Sequence, residues 1–511
     1  MASCSNTALR SGVDLPANFS QNASLPATNS YVTACIDFLT SPLVSSLLEC
    51  HPNDIAINGP KQEWSTWWKW AATNEASWKL LVPRWVQHPA SDVPVELKRM
   101  LDTVDQLTLP RCVNTDKLYP SSPADETSPL RGMSPKKSHE VFRMSAFINS
   151  VISQSPTVIK HAVDIGAGQG YLSRALSNYP LSMNVLALDF SEIQTKGAER
   201  RTGNVQKKLP KTARTPGVNG HASDPSGGSR SLAHEILHIT PHTLQSSVSR
   251  WVSTQSASGP PTPVLLVALH ACGSLTPDIL RCFLANHYDS PLLQSPNSSC
   301  NWYAAGLVVV GCCYNLMSPS SDFPLSTLVS NENDTHSSKL YLSYNHRSLA
   351  AQSPLQWSLN TSTKATAQLA IRKVVYRALY GLLTAPTNPP VNPDSAAERP
   401  IKIGRLPDSA YSSVQEFISE ANKKTGTHLP ITPVDERAHR ELMSCLEVLH
   451  VLRSRIGPIV ESLILIDRYL YLTENTRDSD VFALNLFDQE LGSGRNVVLA
   501  VLPPKNAETP L

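Results

Sequence analysis

Val163-Asp164-Ile165-Gly166-Ala167-Gly168-Gln169-Gly170-Tyr171 is a short apolar run that reaches a carboxylate and then three glycines at alternate positions. His161–Gly166 predicts a strand, and Tyr171–Tyr179 predicts a helix directly after the bend. Glycine at such a bend lets the backbone turn tightly and leaves its amides open to a bulky ligand. Asn184–Asp189, Val264–Leu269 and Leu307–Val310 are three further apolar runs. Strands without alternation suit the centre of a parallel sheet covered on both faces, so the expected class is α/β. Val481–Asp488 and Asn496–Leu502 read as a hairpin that closes the open sheet edge as antiparallel strands.

The chemistry follows from the strand ends. A G-x-G-x-G bend with an acidic residue two places before its first glycine favours S-adenosylmethionine over a pyrophosphate dinucleotide. Asp164 is placed to take the ammonium of that cofactor, Gly166, Gly168 and Gly170 to pass it, and Asp189 to accept both ribose hydroxyls. His270-Ala271-Cys272-Gly273 and Gly311-Cys312-Cys313-Tyr314 end the next two runs. In an open α/β sheet all these ends share one crevice. Three readings of its far side stand together. His270 acts as general base while Tyr314 orients or stacks on an acceptor; the thiols act as nucleophiles; or His270, Cys272, Cys312 and Cys313 bind zinc. Adjacent Cys-Cys ligands are sterically awkward, and no metal is assigned. Against all three stands plain packing of small thiols and a structural histidine. Upstream, Ser134-Pro135 opens a helix whose Lys137, His139 and Glu140 are expected to reach the cofactor or close over it.

The chain has 511 residues, 44 Lys+Arg against 42 Asp+Glu, and a net charge of +2, which excludes a polycation. Its longest nearly apolar stretch, Ala304–Cys313, is too short to span a membrane. The N-terminus lacks the apolar core of a secretory signal, and ten cysteines without a C-x-x-C pair read as reduced thiols, in the cytoplasm or alternatively the nucleus. The expected division is a disordered tail at 1–30, a helical domain at 31–130, a core at 131–383, a Pro-rich linker at 384–405, and C-terminal helices and hairpin at 406–511. Six of nine tryptophans lie between Trp64 and Trp85, with Trp64, Trp67 and Trp68 on one helical face. Packing explains that stripe better than base stacking does. Residues 196–230 read as an insertion carrying +6, either a solvated loop or an arm for an RNA phosphate backbone. Leu442, Leu446, Leu449 and Leu452 start a helical stripe that Gly457-Pro458 is expected to kink or restart. No obligate protein partner is inferred.

Ser134-Pro-Lys-Lys-Ser-His-Glu-Val141, the glycine bend, His-Ala-Cys-Gly and Gly-Cys-Cys-Tyr together resemble the methyltransferase-like protein 25 family, also described as ribosomal RNA adenine dimethylase domain-containing. Leu452–Arg468, Leu486–Asp488 and Arg495-Asn496 resemble its C-terminal helix and hairpin. The resemblance covers about residues 60–505 apart from the insertion. It implies a Rossmann-like class I methyltransferase using S-adenosylmethionine; the expected acceptor, rRNA or tRNA, is read from the basic insertion beside the glycine bend and Asp189, not from the family. It also implies cofactor residues Asp164, Gly166, Gly168, Gly170 and Asp189, and an acceptor side of His270, Cys272, Cys312, Cys313 and Tyr314. A protein or small-molecule acceptor, or a non-catalytic binding scaffold, remain the alternatives. Ser274 and Gly494 depart from the family pattern, which often has an acid and a proline there. No Asn-Pro-Pro-Tyr sequence is present to hold a flipped adenine.

Overall fold

The computed structural model describes residues 12–19, 25–73, 93–113, 133–178, 180–208, 222–223, 229–255, 259–294, 300–358, 361–385, 403–429, 436–477, 479–489 and 491–502. The chain divides into two compact units, one of 1–33, 109–341 and 461–511, the other of 34–108 and 342–460. An eight-stranded sheet organises the first unit. Its strands are β1 (Gly12–Val13), β2 (His161–Ile165), β3 (Asn184–Asp189), β4 (Leu232–Ile236), β5 (Thr262–Cys272), β6 (Trp302–Cys312), β7 (Asp480–Asn485) and β8 (Val497–Leu502). They lie in the order β1-β7-β8-β6-β5-β2-β3-β4.

Parallel pairing runs from β4 through β3, β2 and β5 to β6, in registers such as Val185↔Leu232, His161↔Asn184, His161↔Val264 and Thr262↔Trp302. β8 is antiparallel to both neighbours, with Val498↔Val310 and Val497↔Asn485. The expected mostly parallel, Rossmann-like sheet with its C-terminal antiparallel hairpin is therefore present. Every residue of β6 and β8 is buried, which explains why these runs carry no polar alternation. Helix α1 (Pro135–Gln154) begins as its sequence predicts: Ser134 Oγ accepts from the Lys137 amide at 3.3 Å, and Pro135 occupies the first turn. Its face of Val141, Met144, Phe147, Ile148 and Val151 is fully buried in the sheet core. Each such side chain contributes roughly 1.5–3 kcal/mol by leaving water.

Four expectations need correction. The segment 1–30 is not uniformly disordered: Gly12–Val13 pairs in parallel with Phe482–Ala483, and a helix spans Leu25–Thr40. The outer side of β7 offers unpaired ladder groups, and this short strand satisfies them. The basic segment does not start as a loop, because Glu192–Lys208 is one helix between β3 and β4. β4 itself and the helix Pro241–Gln255 went unread, since Leu-Ala-His-Glu-Ile is a half-buried edge strand without the apolar run of its neighbours. The helical region is not a contiguous 31–130 domain either. Arg453 Nη2 donates to the Leu48 carbonyl at 3.1 Å and Asn345 Nδ2 to the Glu49 carbonyl at 3.0 Å, so the early helices complete their packing with residues 342–460. Finally, Glu436–Asn475 (α2) runs through Gly457-Pro458 without restarting. Burial of every residue from Val451 to Asp467 holds the helix across the missing amide donor.

Trp64 and Trp67 are fully buried and Trp68 nearly so, which supports packing over stacking; Trp78 and Trp85 lie outside the described residues, as do 209–221 of the basic segment and 386–402 of the linker. No single helix among the described residues is long and apolar enough to cross a membrane.

Gly311 lies in β6 where a Cβ would sit 2.7 Å from Arg468 Nη1 and 3.1 Å from Thr276 Oγ1. Gly203, in the helix after β3, has open space around the same position. Gly311→Ala is expected to lower unfolding free energy by about 1–3 kcal/mol, and Gly203→Ala to leave it unchanged or raise it by up to about 1 kcal/mol, in urea titrations of the full chain.

Candidate cofactor and acceptor site

Parallel register sets Ile165, Asp189, Cys272 and Cys312 at one edge of the sheet. The glycine bend is tied there by its own backbone: the amides of Gly166 and Ala167 both donate to the Leu188 carbonyl at 2.9 Å. Gly166, Gly168 and Gly170 all have positive φ, of 74°, 53° and 65°. The Gly168 amide donates to Asp189 Oδ2 at 2.8 Å, and the Ser191 amide to Asp189 Oδ1 at 2.8 Å. Two amide donors hold the carboxylate at the strand end without using all its lone pairs. Beside it Phe190 and Ile193 are 76% and 83% exposed, an apolar pair with no packing role in this chain's core. A Cβ at Gly168 would meet nothing within 4 Å. A carboxylate, an apolar wall and open space over the glycine bend fit an adenosyl group with its ribose diol.

Asp164 is buried and accepts from Ser173 Oγ at 2.6 Å. Burial pushes its carboxyl up from 3.8 to about 6, against the hydrogen bonds from Ser173 and the charge of Lys137. Glu140, from α1, is buried and faces His270 Nε2 at 3.2 Å and Lys137 Nζ at 3.7 Å. Burial raises the Glu140 pKa, yet the bond and charge of His270, with Lys137, outweigh it and leave the carboxyl below its ordinary value. Its Oε1 is buried with no hydrogen-bond partner among the described residues. Burial draws Lys137 towards its neutral form, opposed by Glu140, Asp164 and Cys312. Lys137 and Glu140 thus join the site. His139 does not: its Nε2 accepts from the Asp488 amide at 3.3 Å and its ring packs on Phe487, so it supports the loop after β7.

Cys272 and Cys312 are cross-strand partners, with sulfurs 3.1 Å apart. Hydrogen bonding from the Cys312 thiol lowers Cys272 to about 6, while the same bond and burial raise Cys312. Cys313 follows in a left-handed conformation. Tyr314 is a correction. It is fully buried, its hydroxyl donates to Glu461 Oε1 at 3.0 Å, and the Arg468 guanidinium lies 5.4 Å from its ring centroid. Burial and the Glu461 carboxylate raise its pKa. With both ring and hydroxyl engaged, it cannot stack on an acceptor.

Residues beyond the predicted set hold this edge. Arg111 pairs with Glu461 at 2.8 Å, and Asp467 accepts from the amides of Leu325 and Ser326. Ser274 Oγ donates to Asp322 Oδ2 at 2.6 Å, so an acid from another loop stands against the serine that departs from the family pattern. Glu461, Asp467 and Arg468 belong to the helix the resemblance singled out, but their burial against the Cys-Cys-Tyr loop has no local sequence mark.

Residues 136–296, which carry the glycine bend and its flanking carboxylates, match a family model described as a methyltransferase domain. Over 480 aligned residues the chain is 23% identical to the human protein named "Probable methyltransferase-like protein 25", covering 70% of this chain and 72% of that one. Its mouse counterpart of the same name is also 23% identical, over 70% of this chain and 73% of its own. The resemblance drawn from the motifs is thereby found across most of the chain.

Because the folded state keeps the Asp164 proton to higher pH than the unfolded chain, this group makes stability fall as pH rises from about 4 to about 6. Asp164→Asn should flatten that part of the stability–pH curve, read by urea midpoints at half-unit steps; an unchanged slope would refute the assignment. Tyr314→Phe removes the donor to buried Glu461 and should cost about 1–3 kcal/mol of stability. Cofactor-product affinity in calorimetry should stay at the wild-type value, which a role on the cofactor side would not permit.

Proposed function

We propose that the chain is an S-adenosylmethionine-dependent methyltransferase whose acceptor is RNA. The observation that carries the cofactor reading is Asp189, held by the Gly168 and Ser191 amides beside exposed Phe190 and Ile193. Asp189 would hold the ribose hydroxyls, Phe190 and Ile193 the base, and Glu140 with Asp164 the ammonium end. When bound, the cofactor supplies an electrophilic methyl group.

The chain itself positions the acceptor and manages its proton. With Nε2–H of His270 donated to Glu140 Oε2, Nδ1 keeps its lone pair and serves as the base for a nucleophile that carries a proton. Glu140 holds the imidazole in that tautomer, as a carboxylate orients histidine in other acid–base pairs. The RNA reading rests on charge. Lys196, Arg200 and Arg201 are exposed on the helix that leaves β3, and the whole of 196–230 carries +6. The thiols of Cys50 and Cys112, outside any disulfide, support a reducing compartment, the cytoplasm or the nucleus.

Calorimetry with S-adenosylhomocysteine tests the cofactor, and transfer of labelled methyl to separated RNA and protein fractions tests the acceptor. Expected are stoichiometric binding, a loss in Asp189→Ala of about 1.5–3 kcal/mol of affinity, and label in RNA that weakens with salt. Binding that ignores Asp189→Ala overturns the cofactor reading. Label only in protein or small molecules overturns the RNA acceptor, and no label in any fraction leaves a binding scaffold.

A further inference from the structure

Cys272, Cys312 and Cys313 place three sulfurs within 4.8 Å of one another, the one such group of His, Cys, Asp or Glu among the described residues. The pairing of β5 with β6 sets Cys272 opposite Cys312. Successive residues of a strand point to opposite faces, so Cys313 in an extended chain would turn away from Cys312. It does not continue the strand: at φ 50°, ψ 51° it takes the left-handed conformation, uncommon for a residue with a Cβ. That turn brings its thiol within hydrogen-bonding reach of Cys272 as well as Cys312, and it removes the steric objection to adjacent cysteine ligands.

We propose that Cys272, Cys312 and Cys313 bind one Zn(II) as a three-thiolate site whose fourth position is left open to solvent. Sulfurs at about 2.3 Å from a tetrahedral zinc stand about 3.8 Å apart. The Cys272–Cys312 separation of 3.1 Å and the 4.8 Å limit bracket that value, so changes of up to about 1 Å between sulfurs, within reach of side-chain rotation, bring the three to it. Cys272 and Cys313 are half-buried, which gives an ion a way in and a free coordination position. Three thiolates and a divalent ion leave one negative charge, and cations stand beside it: Lys137 and Arg468 act on Cys312, Arg495 on Cys313. As each sulfur–zinc bond forms, the thiol proton passes to solvent, with no change of oxidation state. His270 stays outside the cluster, on Glu140, so the ion and the proposed base are separate devices.

The test uses the full chain, reduced, stripped with a chelator, then titrated with Co(II) and Zn(II). Expected are one Co(II) per chain with thiolate-to-cobalt charge transfer and tetrahedral visible bands, displaced by one Zn(II). Zinc should also protect Cys272, Cys312 and Cys313 of the wild-type chain from alkylation, a readout free of any folding defect in a variant. Cys312→Ser and Cys313→Ser should each weaken affinity at least about tenfold, while exposed Cys112→Ser should not. Circular dichroism confirms the fold of each variant. No stoichiometric uptake by the reduced chain, or uptake that ignores both variants, overturns the site. So does a Cys272–Cys312 disulfide that forms in air in a chain with no zinc affinity when reduced. S-adenosylhomocysteine calorimetry on the stripped chain separates failure here from failure of the cofactor reading.

Discussion

Parallel register between neighbouring strands is the constraint from which the site follows. With β3, β2, β5 and β6 running the same way, Asp189, the glycine bend, Cys272 and Cys312 must emerge at one edge. Backbone bonding then refines the edge: the bend is bound to the Leu188 carbonyl and the Asp189 carboxylate, so its glycines are positioned before any ligand arrives. Preorganisation of this kind spares a ligand the cost of ordering the loop.

A second layer lies beneath the edge. Glu461, Asp467 and Arg468 are buried charges on α2, and each meets groups from the segment after β6: the Tyr314 hydroxyl, the Leu325 amide and the Tyr314 ring. Leaving any of them unpaired in that interior would cost more than the pairing itself contributes. Such a layer specifies one conformation of the Cys-Cys-Tyr loop, including the left-handed Cys313. Strain of that sort persists only where the surroundings hold it, and here Gly273, Arg468 and the buried Tyr314 do so.

Division of labour among the polar residues follows the same logic. Glu140 reaches from α1 to His270, whereas His139, one position earlier, faces another way and supports the loop after β7. On a helix, neighbours in sequence are about 100° apart, so a motif written as consecutive letters spreads over different environments.

Local sequence determined the glycine bend, the apolar strands of the central sheet, the cap of α1 and the buried tryptophan stripe, because each rests on periodicity or backbone chemistry within a few residues. It missed β4, whose half-buried edge position mixes polar and apolar residues, and it read Gly457-Pro458 as a kink or restart in a helix that burial carries through without a restart. It could place His270, Cys272, Cys312, Cys313 and Tyr314 near one crevice but could not separate their roles. Only the tertiary structure turned Tyr314 inward onto Glu461, gathered three thiols and set His270 against Glu140. These contacts join residues up to 147 positions apart, and pairing over such distances is decided by sheet register and burial rather than by any local pattern.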